Sequence, residues 1–269
     1  MTSRLLRDAH ESLRACVELV LPGCCASCGE AAREPLCPGC RREMRWLETA
    51  GAVDGTAGSG GLLGPDRSGA ASDGVPACWS ALRLEGPVRV AVSAYKDGGR
   101  RDLRPVLAPP LADAVGRAVR EDPCLRRCRA QGERVLVVPV PPSRRARRRR
   151  GDDPVGDLVR RAVALLDDDT LEPAPVLRHR RRVEDQAGLG RDGRSANLEG
   201  ALDVRRGAGR ALRSAVVLVV DDVLTTGATL REAARALASG GARHVSAATL
   251  AVRSRDLTAS PLVAHREAG

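Results

Sequence analysis

The stretch Val216-Val-Leu-Val-Val-Asp221-Asp222-Val-Leu-Thr225-Thr226-Gly227-Ala228-Thr229-Leu230 decides the fold. Its opening residues, Val216 to Val220, are all apolar and mostly β-branched, with no polar alternation. That pattern reads as a strand buried on both faces. Two carboxylates end the run, and a Thr/Gly/Ala loop follows. From Thr229 to Ser239, Leu230, Ala233, Ala234 and Leu237 recur at helical spacing, until Gly240-Gly241 ends the pattern. In open α/β sheets ligands sit beyond the carboxyl ends of the strands, where this reading puts Asp221 and Asp222. Paired carboxylates accept hydrogen bonds from the vicinal hydroxyls of a ribose. The loop offers backbone N–H groups, hydroxyls and a helix N-terminus, all of which favour phosphate, and Gly227 lets the backbone approach closely. The combination points to a phosphorylated sugar.

Two other readings of the same residues compete. Adjacent acids after a strand can simply cap a helix or solvate a turn. An apolar run ending in Asp-Asp also fits the metal-binding strand of an ATPase, but that needs a G-x-x-x-x-G-K-[ST] loop. The only lysine is Lys96, and no such loop surrounds it.

Working outward, Val135 to Val140 reads as a second buried strand, closed by Pro141-Pro142. His244 to Val252 reads as a third, and Val176-Leu177 and Leu202 to Val204 as short ones. Leu111 to Val119 and Val155 to Leu166 have helical spacing. Val88 to Tyr95 is apolar-rich and leads into Lys96-Asp-Gly-Gly, while Arg180 to Gly200 is polar enough for a loop. Strands alternating with helices predict an α/β domain with a mostly parallel sheet and flanking helices. Ser3 to Leu21 has the apolar spacing of an amphipathic helix, and Thr49 to Val75 is Gly/Ser/Ala-rich and aperiodic. The expected organisation is an N-terminal helix and cysteine segment over 1–48, a linker over 49–76, the α/β domain over 77–254 and a tail over 255–269.

Composition narrows the partners. The chain has 269 residues, with two Trp, one Tyr and no Phe or Ile, so Val, Leu and Ala must fill the core. Net charge is +10 and every basic residue but Lys96 is arginine, with clusters at Arg144 to Arg150 and Arg178 to Arg182. Such a surface favours polyanions, although the aromatic residues that would stack on single-stranded bases are missing. The chain has no apolar run of about 18 residues, the length of a membrane span. Acids and arginines interrupt the apolar residues of the N-terminus, unlike a signal peptide. A cytoplasmic, reducing location without disulfides is expected. In so biased a chain Lys96, Gln186 and the single Asn197 stand out.

Cys25-x2-Cys28-x8-Cys37-x2-Cys40 gives two C-x2-C pairs. Four thiolates complete a tetrahedron and leave no open position, so a structural zinc ribbon is expected. Cys24 can replace its neighbour Cys25 in that set. Cys16, Cys78, Cys124 and Cys128 show no ligand spacing.

Leu218 to Leu230 resembles the phosphoribosyl pyrophosphate (PRPP) signature of type I phosphoribosyltransferases over its whole length. The resemblance implies a type I phosphoribosyltransferase-like fold. It implies that Asp221 and Asp222 hold the ribose hydroxyls, and that Thr225, Thr226, Gly227, Ala228 and Thr229 hold the 5′-phosphate. Leu21 to Cys40, with its cysteine pairs, resembles the N-terminus of the ComF family, which is linked to DNA uptake in competent bacteria. Tyr95-Lys96-Asp-Gly-Gly, Val138-Pro139-Val140-Pro141 with Arg150-Gly151, and Gln186 with Arg194-Ser-Ala-Asn197 resemble further ComF segments. Where that family usually has an aromatic-Asn-Gln run, this chain has Asp152-Asp153-Pro154, and Leu202 replaces a usual aromatic. The resemblance implies Mg²⁺ with PRPP, and structural Zn²⁺ on Cys25, Cys28, Cys37 and Cys40. Displacing pyrophosphate from the sugar builds negative charge on the leaving group, which cations stabilise. Lys96, Arg144 and Arg150, with the Pro139-Val140 backbone, are the candidates for that work. Three functions follow: transfer of phosphoribosyl to a nitrogenous acceptor, a non-catalytic accessory protein that keeps the site, and a module binding single-stranded DNA or the competence machinery.

Overall fold

The computed structural model describes residues 23–49, 75–143, 146–148, 151–180 and 200–253. The expected helix at 3–21, nearly all of the linker, most of the Arg180–Gly200 loop (with Gln186 and Asn197), the tail, Arg144 and Arg150 lie outside these. The strands are β1 (Cys78–Arg83), β2 (Val135–Pro139), β3 (Leu171–Pro173), β4 (Leu177–His179), β5 (Leu202–Val204), β6 (Val216–Leu224) and β7 (His244–Val252). The helices are α1 (Pro38–Thr49), α2 (Gly86–Lys96), α3 (Arg104–Glu121), α4 (Pro123–Ala130), α5 (Pro154–Leu166), α6 (Gly209–Leu212) and α7 (Ala228–Ser239).

Five strands form one sheet in the order β1-β7-β6-β2-β3. Every pairing in it is parallel. The central position of β6 explains its unbroken apolar run. Val216, Leu218 and Val220 join an apolar cluster with α2, α3, α4 and α5, while Val217 and Val219 join one with α6, α7 and the β4–β5 hairpin. Successive residues of a strand point to opposite faces, so both faces must be apolar where helices cover both. Val217, Leu218, Val219 and Val220 are all 0% exposed.

β4 and β5 form a separate antiparallel pair. Glu232 of α7, itself buried, accepts the Leu202 amide at 2.8 Å and so ties this hairpin to the helix. Arg235 holds the same carboxylate from one turn on, at 2.7 Å.

Three sequence expectations change. β6 extends four residues past Val220, because its ladder with β7 continues to Leu224↔Val252. Asp221 and Asp222 therefore lie inside the strand and not beyond its end. In α7 the buried stripe is Leu230, Ala233, Ala236 and Leu237, and Ala234 is only half-buried. The stretch at 78–83, where no strand was expected, is β1, which pairs with β7 at one edge of the sheet.

The cysteine segment shares the main core. Cys25, Leu36, Met44 and Leu47 are buried in the same cluster as Trp79, Leu82 and the apolar face of α3. Among the described residues no helix is long and apolar enough to cross a membrane.

Candidate functional site

Asp221 and Asp222 lie near the carboxyl end of β6 on opposite faces, 8% and 6% exposed. Neither caps a helix. Asp221 accepts the Asp222 amide at 2.8 Å. Asp222 receives the Lys96 ammonium, which reaches from the last turn of α2 to 2.9 Å from Oδ1 and 2.7 Å from Oδ2. Only the Oδ1 contact is a directed hydrogen bond, and the buried Oδ2 meets the ammonium as an ion-pair contact alone. Burial, and then the neighbouring Asp222 charge, push the Asp221 carboxyl up to about 8, against the pull of Lys96. For Lys96, burial opposes the charge, but Asp222 and Asp221 outweigh it and raise the ammonium above its ordinary value.

The backbone around Lys96 is fixed by neighbours. Tyr95 is buried and donates its hydroxyl to the Pro154 carbonyl at 3.0 Å. The Arg101 guanidinium lies 5.0 Å from the centre of the Tyr95 ring, donates to the Tyr95 carbonyl, and binds Asp152 at 2.6 Å. Gly99, at φ +73°, turns the chain after Lys96 in a region that side chains avoid. Asp153 accepts the Gly156 amide at 2.9 Å and caps α5. Asp152 and Asp153 are thus committed to Arg101 and to a helix cap. These contacts, to a guanidinium and to a helix N-terminus, were not legible in the sequence.

The loop after β6 turns at Gly227, φ +73°, which is the N-cap of α7 and has no side chain to cap with. The first-turn amides of α7 have no intrahelical acceptors, which suits an anion. Thr225 and Thr226 are exposed, Gly227 and Ala228 buried, and Thr229 half-buried. Ala228 N contacts Thr226 Oγ1 at a marginal 3.5 Å.

Beside the acids, Val140 N donates to the Val220 carbonyl at 2.8 Å, which places Pro139 and Val140 at the same sheet edge. The Pro141 carbonyl lies 3.1 Å from His179 Nε2. From there opens a cleft of about 420 Å³ lined by Pro141, Arg147, Arg148, Arg178, His179 and Arg205. Arg178, His179 and Arg205 come from the hairpin and were not anticipated as a group. Only folding brings positions 147, 178 and 205 together.

The sulfurs of Cys25, Cys28, Cys37 and Cys40 lie within 4.8 Å of one another. Cys24 is exposed and outside the cluster, which decides between it and Cys25. Ligands 2.3 Å from a tetrahedral zinc sit ~3.8 Å apart, and Cys28 and Cys37 Sγ are 3.7 Å apart. The Cys37 amide approaches Cys25 Sγ at 3.3 Å, and the Cys40 amide approaches Cys37 Sγ at 3.5 Å, as outer partners of thiolate ligands do. Burial opposes ionisation of Cys25, but the amides of Cys28, Cys37 and Ser27 prevail and lower its thiol to about 6. The cluster fits a structural zinc ribbon.

A parallel five-stranded sheet, flanking helices and an acid-acid-loop-helix unit at its carboxyl edge define a type I phosphoribosyltransferase-like α/β fold. Residues 160–260 match the family model described as phosphoribosyl transferase domain. That span holds Asp221, Asp222 and the loop, but neither Lys96 nor the cysteine ribbon. No curated protein matches the chain.

Proposed function

We propose that the chain binds Mg²⁺–PRPP and transfers its phosphoribosyl group to a nitrogenous acceptor, releasing pyrophosphate. The observation that carries this is a pair of buried carboxylates, one of them held by Lys96, beside an uncapped helix N-terminus. Asp221 and Asp222 receive the ribose hydroxyls. Thr225, Thr226, Gly227, Ala228 and Thr229 surround the 5′-phosphate. Lys96 leaves Asp222 for the pyrophosphate oxygens as charge builds there. Pro139 and Val140 border the leaving group, and Arg144 and Arg150, from the same arginine-rich segment of the sequence, are candidate cations for it.

Mg²⁺ fits this donor set. It prefers hard oxygens, bridges phosphates and keeps waters, so it needs few protein ligands, and Asp222 Oδ2, buried without a directed hydrogen bond, is such an oxygen. When bound, it neutralises pyrophosphate charge. Structural zinc on Cys25, Cys28, Cys37 and Cys40 belongs to the same proposal, as do a ribbon over 1–48 and a transferase-like domain over 77–254. A ComF-like role in DNA uptake, with single-stranded DNA or the competence machinery as partners, rests on the ribbon, lysine and Gln/Asn segments of the sequence.

The test is pyrophosphate release on mixing the full chain with Mg²⁺, PRPP and candidate nitrogenous bases. Release that disappears in Asp221→Asn supports transfer. PRPP binding without release for any base identifies the accessory protein instead, and no binding at all ends the proposal.

A further inference from the structure

A buried carboxylate unused by the sugar-phosphate reading lies at the opposite, amino-terminal edge of the sheet. Asp122 follows α3, and its side chain is 5% exposed. Its Oδ1 caps α4, accepting Cys124 N at 2.8 Å and Leu125 N at 3.0 Å. Its Oδ2 faces Ser246 Oγ at 2.5 Å and His244 Nε2 at 3.1 Å. Cys124, in the first turn of α4, is exposed to solvent. One ligand atom each from Asp122, Cys124 and His244 lie within 4.8 Å of one another. His244 pairs with Val216, six residues along the strand from Asp222, which is roughly 20 Å at ~3.3 Å per residue.

We propose that Asp122, Cys124 and His244 form a second metal site, open at its fourth position, for a divalent ion of the zinc type. One carboxylate oxygen, one imidazole nitrogen and one thiolate sulfur are the donors a borderline ion such as zinc takes. Oxygen and nitrogen ligands of a tetrahedral zinc lie ~3.3 Å apart, close to the 3.1 Å between Asp122 Oδ2 and His244 Nε2. The ion takes the place of the proton that His244 Nε2 shares with Asp122 Oδ2 and with Ser246 Oγ, 2.8 Å away. Ser246 then orients the carboxylate from outside. Arg243, the neighbour of His244 in the chain, is engaged by Glu133 at 2.9 Å and Cys128 at 3.1 Å. Among the described residues no lysine or arginine pairs with Asp122. The site joins the start of α4 to the start of β7 and is independent of the sugar-phosphate reading. Unlike the four-cysteine cluster, it leaves a position for water or an added ligand.

The test is a titration of the reduced, metal-stripped full chain with Zn²⁺, read by calorimetry, and with Co²⁺, read by visible absorption. Two equivalents are expected for the wild type, one for Cys124→Ser and one for Cys25→Ser. The melting temperature should rise with the second equivalent in the wild type and not in Cys124→Ser. Because Cys124 is exposed, its replacement leaves the fold intact, so this variant decides. A single equivalent in the wild type, or two retained in Cys124→Ser, overturns the proposal.

Discussion

At Asp221 the ligand site works against the stability of the unliganded protein. Its carboxyl is held up to about 8 by burial and by Asp222, so the unfolded chain releases this proton first. The contribution is present below the ordinary carboxylate range and is lost as pH rises through about 8. Asp221→Asn, which keeps the acceptor for the Asp222 amide, is expected to stabilise the unliganded protein by roughly 1–3 kcal/mol above that pH, the order of an uncompensated buried polar group. Urea melts at several pH values check this, and the gain should shrink toward acid. In the proposed reaction Lys96 serves the developing charge and not the bound sugar. Lys96→Ala should therefore lower the rate of pyrophosphate release by roughly 10²–10³, as loss of one preorganised donor does, with a smaller loss of PRPP affinity. Single-turnover kinetics separates the two. Lys96 stands out in sequence because it is the chain's one lysine. Its pairing with Asp222 does not, because the two are 126 positions apart in the chain.

Among the elements, β6 and α7 were the most legible. A buried central strand leaves a run without polar alternation, and an amphipathic helix ending in Gly-Gly leaves a period. β1 was obscured because Cys78-Trp-Ser-Ala-Leu-Arg83 mixes polar and apolar residues. Its Ser80 is buried against Thr249, with their hydroxyls 2.6 Å apart, so the polar residue marks the interior and not the surface. The hairpin could not be placed from β4 and β5 alone, since three-residue strands carry almost no pattern. Glu232 is what docks it. Burial opposes that charge, but Arg235 and the Leu202 amide hold its carboxyl below the usual range. This stabilisation is present above the ordinary glutamate pKa and is lost as pH falls through the lowered one. Glu232→Ala should cost about 1–3 kcal/mol near neutrality, as for an orphaned buried amide, and less in acid; thermal melts at two pH values check it. Gly227→Ala should cost about 1–2 kcal/mol, the steric penalty of a side chain in the left-handed region, and should weaken PRPP binding as the loop shifts.

At the scale of the molecule, the ribbon and the sheet domain share one apolar cluster through Cys25, Leu36, Met44 and Leu47. Metal in the ribbon should therefore support the whole fold. Chelation under reducing conditions is expected to lower the melting temperature by more than ~5 °C, since structural zinc contributes directly to folding. The ligand spacing was plain in sequence, but the choice of Cys25 over Cys24 required knowing which one turns inward. The Arg147, Arg148, Arg178 and Arg205 cleft was hidden for a related reason: in a chain this rich in arginine, composition does not tell a lining residue from a solvated one. The most direct test of the central claim is a calorimetric titration of the full chain with PRPP in the presence and absence of Mg²⁺, repeated on the Asp221→Asn/Asp222→Asn double variant. The account predicts Mg²⁺-dependent binding at one site in the wild type, weakened about 100-fold or more when the two charged hydrogen-bonding groups are removed. Equal binding by the double variant, or none by the wild type, would contradict it.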